Sequence, residues 1–229
     1  MDSSYTLLFD LDGTLVNSLQ DITNACNHAI SQLGFAPKTT EQVKSMVGGG
    51  VRRLLARALE TQDSKQIDLA REYFGPKYFE CMLENTRLYP GLEEALNQLQ
   101  DMGFQLFIAT NKPQQFAGPI IQHLKLDRWF LAWACGDEVP IRKPDPAILH
   151  LAMSRADATF NAERSIYIGD MEIDNETAHN AGCSSVQVSW GFGQATQNKY
   201  QPDLTIHQTS ELVDSITQLV RRGSLAQEN

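Results

Sequence analysis

The chain reads as an α/β protein, a doubly wound parallel sheet carrying an inserted helical domain, and three observations predict this. Apolar runs of strand length occur at residues 5–9, 105–109, 131–135, 165–168 and 185–189. Helical patterns separate the later runs, a rhythm that wraps helices over both faces of a parallel sheet. Residues 18–86, between the first two runs, carry only helical patterns and are too long for a crossover connection.

Taken in order, the first run ends on Asp10-Leu11-Asp12-Gly13-Thr14, a strand delivering two carboxylates onto a glycine turn. Leu19, Ile22, Cys26, Ile30 and Leu33 then share one helical face. Leu88-Tyr89-Pro90-Gly91 is the re-entry into the sheet, followed by a helix with Leu92, Ala95, Leu96, Leu99 and Met102 on one side. Pro113 and Pro146 sit where helices begin, with Asp145 as a cap, and 204–206 is a weak edge strand. The tail, 221–229, is expected to fray. The domain division is therefore 1–17 and 87–229 for the core, and 18–86 for a helical cap.

Composition narrows the function. With 229 residues the chain can bury a sizeable core. Apolar residues at 42% and charged residues at 21% argue against disorder. A net charge of -9 disfavours a nucleic-acid partner, because phosphate backbones select basic surfaces. No secretory leader and no membrane-spanning apolar run is visible. Cys26, Cys81, Cys135 and Cys183 form no metal-ligand spacing and read as buried thiols of a cytoplasmic protein. Monomer and homodimer both stay open.

Four segments carry the chemistry, each placed after a strand: Asp10/Asp12/Thr14, then Ala109-Thr110-Asn111-Lys112, then Arg142-Lys143-Pro144-Asp145-Pro146, then Gly169-Asp170-Met171-Glu172-Ile173-Asp174. Ligands of doubly wound sheets bind outside the carboxyl ends of the strands, so all four converge. The set suits phosphoryl transfer to a carboxylate. Asp10 attacks phosphorus, and Asp12 protonates the leaving oxygen and later deprotonates water. Thr110, Asn111 and Lys143 bind the phosphate, and Mg²⁺ bridges Asp10, the phosphate and Asp170. Gly48-Gly49-Gly50 ahead of Val51-Arg52-Arg53 leaves two readings open. It is a flexible loop with solvated arginines, or Gly49 and Arg52 meet the non-phosphate end of an anionic substrate.

The ordered motifs resemble the haloacid dehalogenase superfamily, and Asp10 to Ser18, Tyr89-Pro90-Gly91 and Lys143-Pro144-Asp145-Pro146 look most like phosphoglycolate phosphatases and their relatives. The resemblance implies a Rossmann-like core with a helical cap, Asp10 as nucleophile and Asp12 as general acid/base. It also implies a metal held by Asp10, the Asp12 carbonyl and Asp170, with Asp174 a direct or indirect ligand. Asn17 and Met171 depart from many relatives, which have Asp and a small residue there. The expected activity is Mg²⁺-dependent hydrolysis of a small anionic phosphomonoester, phosphoglycolate first. A sugar phosphomutase, a pyrophosphatase and, from a different class, a phospho-accepting receiver switch are the alternatives.

Overall fold

Thr6–Phe9 (β1) is buried along its whole length and lies between two parallel neighbours, so neither edge nor either face meets water. In this computed structural model, which describes residues 5–193 and 199–227, the remaining sheet strands are Gln105–Thr110 (β4), Ala132–Cys135 (β5), Ser165–Gly169 (β6), Ser184–Val188 (β7) and Leu204–Ile206 (β8). Two short segments, Val16–Asn17 (β2) and Arg87–Leu88 (β3), stand apart as an antiparallel pair. The main sheet runs β5-β4-β1-β6-β7-β8, parallel throughout, with β8 at the edge as its weak apolar pattern suggests.

Strand periodicity divides the core. Leu7 and Phe9 point with Leu106, Ile108, Ile166 and Ile168 toward Leu92–Asp101 (α5), Gln114–His123 (α6) and Leu212–Gln227 (α9). Leu8, Phe107, Ala109 and Tyr167 point the other way, onto Ala147–Ser154 (α7) and Glu172–Ala181 (α8). The expected frayed tail is instead the end of α9 as far as Gln227, because Leu212 and Ile216 anchor that helix in the core; residues 228–229 lie outside the described residues.

Between β2 and β3 the chain forms Leu19–Ser31 (α1), Thr40–Lys44 (α2), Val51–Ala58 (α3) and Ser64–Cys81 (α4). These helices bury their own cluster, including Ile22, Ile30, Leu55 and Phe74, which reaches the core through Phe116 of α6. The β2–β3 pair ties together the two crossings into this insert. Two residues per strand are too few to show a periodicity, so sequence reading gives a hinge there and no strand. Asp21 adds a second tie. Its buried carboxylate accepts from Asn85 N and Nδ2 and from Thr86 N and Oγ1, at 2.7 to 3.1 Å. Asn17 caps the start of α1 by accepting from Leu19 N at 3.3 Å.

Candidate active site

The order of the sheet decides where the site lies. From β1 the chain builds outward through β4 and β5, then crosses back to β6 on the other side of β1. The crevice at such a reversal is where strand ends leave room for a ligand. Asp10 follows β1, Asp170 follows β6 and Thr110 ends β4, so three of the four motifs arrive side by side. Asp10 N donates to Ile168 O at 2.9 Å, which fixes the first carboxylate against the neighbouring strand.

Asp10, Asp170 and Asp174 each offer one oxygen within 4.8 Å of the others, and all three are buried. Gly13 makes this approach possible. Its φ is +86°, and a Cβ there would run into the Asp170 carboxylate. Asp170 accepts from Thr14 Oγ1 at 3.1 Å, from Phe192 N at 2.7 Å and from Gly193 N at 3.1 Å. Lys143, on the loop before α7, donates to Asp174 Oδ1 at 2.7 Å and to Tyr167 Oη at 2.8 Å. Its Nζ is also 3.1 Å from Asp10 Oδ1 as an ion pair, yet by hydrogen-bond geometry Asp10 Oδ1 is a buried acceptor without a donor.

The electrostatics follow from that crowding. Burial pushes the Asp10 carboxyl up to about 6; Lys143 and a hydrogen bond from Thr110 oppose this, and Asp174 reinforces it. Burial, then Asp174 and Asp10, push Asp170 up to about 8. Burial works against the charge on Lys143, but Asp10 and Asp174 outweigh it and raise its pKa. Three buried carboxylates facing one ammonium, with one oxygen lacking a donor, fit a hard divalent cation, which takes oxygen ligands and cancels the repulsion.

A second group surrounds Asp12. Its carboxylate accepts from Ser18 Oγ at 2.6 Å and, through both oxygens, from Lys112 Nζ at 2.9 Å. Lys112 Nζ also donates to Tyr78 Oη of α4 at 2.6 Å. Beside these groups, a cavity of about 60 Å³ lies between insert and core, lined by Asp10, Asp12, Thr110, Asn111 and Lys112 and by apolar insert side chains. Asn111 is bound into the frame. Its Oδ1 accepts from Lys143 N at 3.0 Å, and its Nδ2 donates to Gly48 O at 3.3 Å.

The glycine loop divides. Gly48 and Gly50 line the cavity, whereas Gly49 packs against Arg53. Of the two readings of this loop, the structure is on the side of the solvated arginine: Arg52 pairs with Asp68 on α4, half-exposed, and does not line the cavity. Met171 packs its thioether at Gly48, a contact between core and insert. Sequence reading missed Lys112, Tyr78 and Ser18 as site residues. The only signal for Lys112 was its place two residues beyond a strand end, and Tyr78 reads as an ordinary core aromatic.

The haloacid dehalogenase-like hydrolase family matches residues 7–188, and the chain belongs to that family. It is 34% identical over 224 residues to a phosphoglycolate phosphatase of Agrobacterium fabrum, spanning 96% of this chain and 95% of that one. It is 38% identical over 192 residues to one of Pseudomonas fluorescens, covering 81% and 70%. The crystal structure of a predicted phosphoglycolate phosphatase from Haemophilus somnus superposes with a TM-score of 0.85 at 28% identity, over 95% of this chain and all of that one. The protein is an enzyme, a phosphatase of this family.

Proposed function

We propose that this phosphatase hydrolyses a small phosphomonoester, phosphoglycolate first, through an aspartyl-phosphate on Asp10. The observation that carries the reading is Asp10 at the tip of β1, paired to Lys143 and clustered with Asp170 and Asp174. An Asp10 oxygen attacks phosphorus as the bond to the leaving oxygen breaks, and Asp12 gives that oxygen a proton. Water then attacks the phosphorus of the acyl phosphate; Asp12 takes its proton, phosphate leaves and the Asp10 carboxylate is restored. Thr110 and Lys143 hold the non-bridging oxygens.

Asp10, Asp170 and Asp174, with the Asp12 carbonyl, would hold Mg²⁺, which supplies positive charge to the carboxylates and the phosphoryl group. The helical insert serves as a cap that keeps water out. The relatives named above support phosphoglycolate. Among the described residues no helix is long and apolar enough to cross a membrane. All four cysteines are buried and free, which supports the cytoplasmic reading.

The test is phosphate release from phosphoglycolate with Mg²⁺. Asp10→Asn is expected to lose at least about 10⁴-fold in kcat while its circular dichroism is unchanged. Turnover surviving the substitution rejects the mechanism.

A further inference from the structure

Resting on that reading, we propose that Lys112 is the specificity-determining residue: it binds a carboxylate on the leaving part of the substrate, and Tyr78 of the insert sets its position. Among the described residues that line the cavity, Lys112 is the only cation. On the insert side the wall is formed by the apolar side chains of Ile22, Val47, Val51, Leu54 and Phe74, and Thr110 and Asn111 on the core side are neutral, so no other lining side chain carries a positive charge. Arg52, the alternative partner for a carboxylate, does not line the cavity.

The position of the ammonium fits the leaving group and not the phosphate. Lys143 stands at Asp10, where phosphorus must arrive, while Lys112 bonds both oxygens of Asp12, where the leaving oxygen must arrive. In a glycolyl ester the carboxyl carbon is only two bonds from that leaving oxygen, so an ammonium beside Asp12 is within reach of it. A leaving group without an anion adds no ion pair with Lys112, whose charge is then balanced by Asp12 alone.

Tyr78 makes the placement exact enough to select. Its ring stacks on Phe74 at 5.3 Å between centroids and meets Phe116 edge-on at 5.0 Å. The hydroxyl is therefore a fixed acceptor for Lys112 Nζ, which also lies 4.7 Å from the centroid of the same ring. On the main-chain side, Lys112 N donates to Thr110 Oγ1 at 3.3 Å, so both ends of the lysine are anchored. Tyr78 belongs to the insert and Lys112 to the core, so the full carboxylate site exists only when the two are together.

The experiment compares kcat/KM for phosphoglycolate and for ethylene glycol monophosphate, which lacks the carboxylate, at saturating Mg²⁺. The wild type should favour phosphoglycolate. Lys112→Met should lower the preference ratio by about 30-fold, chiefly through KM, and Tyr78→Phe by a few-fold. If Lys112 acts only by holding Asp12, both substrates fall equally and the ratio stays fixed, which overturns the proposal. A wild-type ratio near one overturns it without any variant, and Lys112→Gln replaces Lys112→Met should the latter not fold. Failure of the wild type on both esters, by contrast, rejects the phosphatase substrate class itself and this inference with it.

Discussion

Core and insert bury their side chains equally well but to different ends. The core gathers Asp10, Asp170, Asp174 and Lys143 around its strand ends, and burial there works against the charges of Asp10, Asp170 and Lys143 except as their partners compensate. The insert buries an almost wholly apolar cluster and turns toward the site a wall of apolar side chains, the glycine loop, Ser18 and Tyr78. The lesson is a division of labour. On the proposed mechanism the core would supply reactivity at a cost in stability, and the insert would supply shape and exclusion of water.

The largest expected effect of breaking this division lies in the core. Asp170→Asn should lower kcat by about 100-fold or more and raise the Mg²⁺ concentration giving half-maximal activity, measured by phosphate release across a Mg²⁺ titration. Next comes the tie between the halves. Asp21→Ala leaves the N–H groups of Asn85 and Thr86 without their acceptor, and should cost about 3 kcal/mol in urea unfolding.

The third test concerns charge. Asp10 and Asp170 titrate at about 6 and about 8 in the folded protein against an ordinary 3.8. Between those values the folded chain holds more protons than the unfolded one, so stability in chelator should fall as pH rises from about 4 to about 8. Mg²⁺ should flatten the slope, with its largest increase in melting temperature at the alkaline end. The smallest effect belongs to Arg52→Ala. Its exposed pair with Asp68 predicts a change within about 1 kcal/mol and a KM for phosphoglycolate within about two-fold of wild type. A larger rise in KM would bring Arg52 back into the site and blur the contrast between the halves.

Much of the core was legible because strand alternation and turn residues are local. The five sheet strands, the edge strand at 204–206 and the carboxylates beyond the first and fourth apolar runs needed only short windows of residues. The insert was legible as helices, through the spacing of Leu19, Ile22, Cys26 and Ile30, but its inward-facing chemistry was not. The glycine loop left Arg52 open between a solvated arginine and a substrate contact, and the structure sets it on Asp68; no local signal pointed to Tyr78, which only packing brings to Lys112.

The sequence alone determined the class of fold, the order of the motifs and the residue types able to carry a phosphoryl group, since each follows from periodicity or from chemistry within a few residues. Only the tertiary structure decided that Lys112 pairs with Asp12 while Lys143 pairs with Asp10 and Asp174, and that Tyr78 of the insert reaches Lys112. Those assignments depend on contacts between Asp12 and Lys112, and between Lys112 and Tyr78, that are far apart along the chain. Strand order and the docking of the insert bring them together, and neither is written in any local window.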